Sequence, residues 1–140
     1  MAALAKGDAA CQLLMTAPGV GPLTALAYRT VIDDPNRFAS SRSVGPLLGL
    51  VPKVRQSGPT ERRGHITKTG DQTVRSALYM AAITILRRGG RQSWLRAWGE
   101  TVAARRGKKR ALVAVARRLA VVLHRMWVTG TSFRAETAHR

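Results

Sequence analysis

Lys108-Lys109-Arg110-Ala111-Leu112-Val113-Ala114-Val115-Ala116-Arg117-Arg118-Leu119-Ala120-Val121-Val122-Leu123-His124-Arg125-Met126-Trp127-Val128 carries apolar residues at three- and four-residue steps. Leu112, Val115, Leu119, Val122 and Met126 fall on one side of a 3.6-residue helix, as a core-facing helix requires. Arg110, Arg117 and His124, with Arg118 and Arg125, recur at seven-residue steps and predict a basic stripe on another face. A helix of this kind needs partners, and the chain before it supplies them.

Cys11 to Met15 reads as a small apolar piece that stops at Pro18-Gly19. Leu23 to Ile32 resumes with Leu23, Leu26, Ala27 and Val31 at helical spacing and halts at Asp33-Asp34-Pro35. Phe38 to Leu48 predicts a third helix, closed by Gly49. Asp71 is an N-cap for a long helix whose buried face is Val74, Leu78, Ala81 and Ile85, with Arg75 toward the opposite side. Gly89-Gly90 ends it. A further helix carries Trp94, Leu95, Trp98 and Val102 up to Gly107. Trp94, Trp98, Met80 and Met126 are assigned to the core, and residues after Thr129 to a loose polar tail. Val51 to Arg55 and Gly64 to Thr67 form two short extended runs around an arginine-rich tip. The expected fold is therefore mainly α: a compact helical domain with a helix-hairpin-helix-like turn near its N-terminus and at most one short β-hairpin around residues 51–70.

The 140 residues suffice for one domain with a modest core. Residues 1–12 read as a lead-in, 13–130 as the domain and 131–140 as a flexible tail. Against 24 Lys and Arg stand 7 Asp and Glu, a formal charge of +17 that points to a polyanionic partner, nucleic acid first. Arginine's planar fork matches phosphate bidentately. The lone Cys11 excludes a disulfide framework, and His65, His124 and His139 are too scattered for a ligand cluster, so no metal site is expected. A cytoplasmic setting is expected. Ala9 to Tyr28 carries no charge, but its centre, Pro18-Gly19-Val20-Gly21-Pro22, would break a helix in mid-bilayer, so no membrane span is expected.

Three segments carry candidate chemistry. Between two apolar helical pieces, Gly19 and Gly21 permit a tight turn and close backbone approach, and the second helix opens with unpaired N–H groups suited to a phosphate. A helix–helix corner packed inside the core has the same appearance. Lys108, Lys109 and Arg110 crowd a helix start, where the dipole disfavours cations, which fits a grip on a polynucleotide backbone. Gln56-Ser57-Gly58 places one hydroxyl among Arg55, Arg62, Arg63 and Lys68. A serine hydroxyl becomes a nucleophile once its proton is removed, and guanidinium groups stabilise the charge on a phosphoryl group under attack. A solvated loop that merely touches DNA would read alike. Asp33-Asp34, Glu61, Asp71 and Glu100 do not cluster as two-metal strand cleavage requires, and there is no nucleotide-binding Gly-Lys-Ser/Thr loop.

Leu14 to Ala25, Arg37-Phe38, Gly49-Leu50-Val51-Pro52, Gln56-Ser57-Gly58 and Arg63 to Asp71 together resemble the C-terminal transposase domain of the IS110 class of bacterial insertion sequences. Arg75, Leu78 to Ala82 and Val115 to Ala120 extend the resemblance, which covers about Leu13 to Phe133. It implies a recombinase guided by a structured bridge RNA, with Ser57 in the position of the nucleophile that forms a phosphoserine link to DNA. It implies too an N-terminal RuvC-like domain bearing acidic Mg²⁺ ligands. That half has no counterpart here, so the expectation is a fragment, truncated product or split partner that binds no cofactor itself. Mg²⁺ is expected only with the RuvC-like partner domain. The expected partners are DNA, guide RNA and either that domain or further copies of the chain. Arg55, Arg62, Arg63, Lys68, Arg75, Lys108, Lys109, Arg110 and Arg117, with Gly19 and Gly21, are the electrostatic and backbone candidates for nucleic-acid contact. The alternatives are a non-catalytic nucleic-acid-binding module and a ribosome-associated basic protein.

Overall fold

Asp8 opens the first helix, α1 (Ala9–Leu14), by accepting hydrogen bonds from the backbone N–H groups of Ala10 at 2.8 Å and Cys11 at 3.1 Å. A computed structural model describes residues 7–38, 40–48, 50, 68–88 and 90–136 of the chain. Helix α2 (Pro22–Ile32) starts with Gly21 at its N-cap and proline at the first helical position, where the missing N–H costs nothing. It stops at Asp33, whose φ of 64° and ψ of −67° fold a γ-turn closed by the Asp34 N–H donating to the Ile32 carbonyl at 2.7 Å.

The expected helix from Phe38 to Leu48 is not continuous. The chain forms two 3₁₀ turns, Pro35–Arg37 and Ser41–Ser43, and then a four-residue helix α3 (Val44–Leu47). Asp34 accepts from the Asn36 N–H, and Ser40 from the Arg42 N–H, so local side-chain caps compete with one long helix. Helix α4 (Lys68–Leu86) begins three residues before the expected cap at Asp71. Helices α5 (Trp94–Arg106) and α6 (Lys108–Thr129) follow, joined only by Gly107 at φ +96°. Gly130, in the left-handed conformation, ends α6. Among the described residues there is no strand; the hairpin expected around 51–70 falls mostly on residues 51–67, outside them, while 68–70 are helical.

The architecture is mainly α, built around α6, which packs against α5, α4, α3 and α1. Val115, Leu119, Val122 and Met126 lie in the core as their spacing requires, and Leu112 packs against it half-buried. The buried face of α4 is Val74, Leu78, Ala81, Ala82 and Ile85. The face of α2 is rotated from the expected one. Ala25, Tyr28 and Ile32 are buried, whereas Leu23 is 55 % exposed. Met80, assigned to the core, is 60 % exposed because it lies on the side of α4 away from α6. Residues 131–136, expected as a loose tail, dock on the body. The Phe133 N–H donates to Thr16 Oγ1 at 2.9 Å, the Trp94 N–H donates to the Ala135 carbonyl at 2.9 Å, and the Phe133 and Trp94 rings stack.

Tyr28 ties α2 to α6. Its fully buried hydroxyl donates to the Ala120 carbonyl at 2.6 Å, and burial holds its pKa well above the ordinary value of 10.0. In the unfolded chain the phenol ionises near that ordinary value, so this contribution is present below it and fades as pH rises beyond it. Tyr28→Phe is expected to cost about 1 kcal/mol at neutral pH, read as a fall of a few degrees in Tm. It should also flatten the alkaline decline of stability.

Candidate nucleic-acid interface

Ser57, with Arg55, Arg62 and Arg63, lies within residues 51–67 and so outside the described residues. The structure does define the frame at each end of that segment. On the entering side, α3 turns tightly: the Leu48 N–H donates to the Val44 carbonyl at 3.1 Å and the Leu50 N–H to the Gly45 carbonyl at 2.9 Å. Val44, Leu48 and Leu50 are fully buried, which anchors this exit. On the leaving side, Lys68 is the first residue of α4.

Two cations from the long helices meet the entering side. Arg75 of α4 is half-buried, and its Nη1 donates to the Leu48 carbonyl at 3.4 Å, so it does not face away from the core as expected. Arg117 of α6, exposed, lies over Gly45; a Cβ on that glycine would come within 3.0 Å of Arg117 Cγ. Glycine there lets the guanidinium stem cross the short helix closely. Arg75 and Arg117, both sequence candidates, thus flank the chain just before the Ser57 segment.

The two candidate glycines separate. Gly19 has φ +77°, and a Cβ on it would stand 2.7 Å from the Ala81 carbonyl oxygen of α4. Its close approach is therefore made to the protein's own backbone. Gly21 has nothing within 4 Å of where a Cβ would be and opens α2 with no side-chain cap. Lys108, Lys109 and Arg110 are exposed at the α5–α6 turn, as are Arg105 and Arg106 before it.

The expected basic stripe on α6 is interrupted. His124 is 2 % exposed, not a surface cation. Its Nε2 lies 2.7 Å from the Pro35 carbonyl and its Nδ1 2.7 Å from Ser41 Oγ, with the Phe38 ring edge-on. A carbonyl can only accept, so in the neutral ring Nε2 donates and Nδ1 accepts from the Ser41 hydroxyl. Arg118 sits over both Trp94 and Trp98, at 5.4 and 4.9 Å from the ring centroids, where it serves as a packing cation. Both tryptophans are half-buried against the core.

Sequence reasoning missed Arg96. Only 8 % exposed, it donates through Nη1 to the Ile85 and Arg87 carbonyls at 3.1 and 2.8 Å, and through Nε to Glu100 Oε2 at 3.1 Å. It satisfies the orphan carbonyls at the end of α4. Its four-residue spacing from Glu100 was the available signal. Among the described residues, no three His, Cys, Asp or Glu side chains come together, so they do not make a carboxylate set that fits Mg²⁺. No helix among them is long and apolar enough to cross a membrane.

The described residues thus define a strongly basic helical domain with exposed cations at the α5–α6 turn and beside the Ser57 segment. The profile of the transposase IS116/IS110/IS902 family matches residues 11–98, and the chain belongs to that family. It is 33 % identical over 133 residues to a putative transposase, y4pF/y4sB, of Sinorhizobium fredii, covering 94 % of this chain and 34 % of that protein. To the transposase for insertion sequence element IS1111A of Coxiella burnetii it is 34 % identical over 122 residues, covering 86 % of this chain and 34 % of the relative. A pilin gene-inverting protein of Moraxella lacunata is 35 % identical over 74 residues, 52 % of this chain and 23 % of that protein. The chain spans about a third of the length of the two transposases.

Proposed function

We propose that this chain is the serine-bearing, DNA-handling domain of an insertion-sequence transposase, with Ser57 as its nucleophile. The observation that carries the reading is the family match, which spans residue 57. The +17 charge supports a polynucleotide partner. In the proposed step Ser57 Oγ attacks a DNA phosphorus. The Oγ–P bond forms, one bridging P–O bond breaks, and the proton lost by Oγ ends on the departing strand hydroxyl. A hydroxyl of the recipient strand then reverses the exchange, freeing the serine with no net loss of phosphodiesters. Arg55, Arg62, Arg63 and Lys68 stabilise the charge gathered on the phosphoryl oxygens. Gly21 opens α2, whose first N–H groups face a phosphate, and Arg75 and Arg117 hold the backbone beside α3.

The activity requires more than this chain: a structured guide RNA and a RuvC-like domain carrying the acidic Mg²⁺ ligands, with that domain or further copies of the chain as protein contacts. The setting is the cytoplasm, where DNA and RNA are both at hand. The test combines the chain with a RuvC-like partner, guide RNA and target DNA, and reads a denaturant-resistant protein–DNA adduct. The adduct is the expected result. Tight, salt-sensitive binding with no adduct under any of these conditions would instead support a non-catalytic nucleic-acid-binding module.

A further inference from the structure

The α5–α6 turn concentrates five exposed cations in six residues: Arg105, Arg106, Lys108, Lys109 and Arg110 around Gly107. Among the described residues none of the five side chains has a hydrogen bond or an ion pair, and the nearest carboxylate along α5, Glu100, is already paired with Arg96. Five like charges held on a rigid two-helix tip repel one another unless an anion lies among them. The family profile ends at residue 98, before this tip begins.

The tip continues along α6. Arg110 and Arg117 are seven residues apart, so they share a face of the helix and lie about 10.5 Å apart along its axis. At 3.4 Å of duplex axis per phosphate on one strand, that span is about three phosphate steps. Arg117 in turn crosses Gly45, at the start of the chain leading into the Ser57 segment. Of the other basic positions on α6, His124 is buried against Pro35 and Ser41, Arg118 stacks over Trp94 and Trp98, and Arg125 is half-buried.

We infer that the tip and this face of α6 form a phosphate-backbone track, with Arg105, Arg106, Lys108, Lys109 and Arg110 gripping one nucleic-acid strand and Arg110 and Arg117 leading it to Gly45 on α3. The track rests on the nucleic-acid reading above but not on Ser57 being a nucleophile. It reads backbone charge, so affinity through it is independent of base sequence.

The experiment measures binding of the full chain to a labelled mixed-sequence DNA duplex and to the matching RNA duplex across a salt series. Lys109→Gln/Arg110→Gln is compared with the charge-matched Arg87→Gln/Arg88→Gln, whose exposed arginines lie beyond the end of α4. The tip pair should lower the slope of log affinity against log salt by about two units, and Arg117→Gln by about one. The Arg87/Arg88 pair should lower it by less than about half a unit, since exposed charges farther than a Debye length are screened. Tm of the tip variant should be unchanged or higher, because cations leave the unfavourable end of the α6 dipole. Loss on both duplexes, or on one alone, supports the track and says which nucleic acid occupies it. Equal falls for the tip and control pairs, or no fall for the tip pair on either duplex, overturn it. A missing Ser57 adduct with the slope change intact would fault the nucleophile reading alone.

Discussion

Ser57→Ala is expected to abolish the protein–DNA adduct in the assembled reaction while leaving salt-sensitive binding to duplex DNA in place. Removing the nucleophile of a covalent mechanism costs roughly 10⁶-fold in rate, enough to take the adduct below detection. Nothing comparable is expected in binding. A neutral hydroxyl can donate only one hydrogen bond to a phosphate, whereas the +17 charge supplies the electrostatic attraction and its salt dependence. The separation of the two readouts is what distinguishes chemistry from affinity. If binding and adduct fall together, Ser57 shapes the interface; if the adduct persists in the alanine variant, another group makes the bond.

Gly19→Ala is the substitution expected to damage the fold most among those at candidate positions. The alanine must hold φ near +77°, which L side chains adopt only under strain, and its methyl would stand 2.7 Å from the Ala81 carbonyl oxygen. A backbone atom of α4 cannot rotate away as a side-chain tip can. Strain and overpacking together put the cost at about 3 kcal/mol, a fall in Tm on the order of 10 °C by thermal unfolding. Gly21→Ala, two residues on, has open space and a φ of −99°, and should shift stability by less than about 0.5 kcal/mol. The pair therefore separates two uses of glycine in one turn. Any loss of DNA affinity in Gly21→Ala at unchanged Tm belongs to the interface, while loss in Gly19→Ala follows the packing of the turn on α4.

The long helices were legible because packing imposed a period on them. Val74, Leu78, Ala81 and Ile85 on α4, and Val115, Leu119, Val122 and Met126 on α6, are buried as their spacing requires. The misreadings arose where size or polarity misled. Leu23 looks like core at helical spacing, but α2 turns Ala25, Tyr28 and Ile32 inward, and the tyrosine is accepted only because Ala120 offers its hydroxyl a carbonyl. His124 follows arginines at seven-residue steps, yet its partners Ser41 and Pro35 lie 83 and 89 positions away, beyond the reach of any local pattern. Phe38 to Leu48 has the apolar residues of one helix, but the Ser40 cap opens a 3₁₀ turn at Ser41–Ser43 and leaves only Val44–Leu47 helical.

Of the candidate site, the flanking cations were found from charge and resemblance, but their division of labour was not. Arg75 and Arg117 converge on the end of α3 because α6 packs beside it and the Arg75 side chain reaches the Leu48 carbonyl. Arg96, absent from the candidates, is buried as the cap of α4. Arg118 stacks over two tryptophans, a packing role that only the fold reveals.

The most direct measurement is to trap the adduct with isotopically labelled DNA, digest it and locate the linked residue by mass spectrometry. The account places the nucleotide phosphate on the oxygen of Ser57. A label mapped to any other residue, or to a carboxylate supplied by the partner domain, would contradict it.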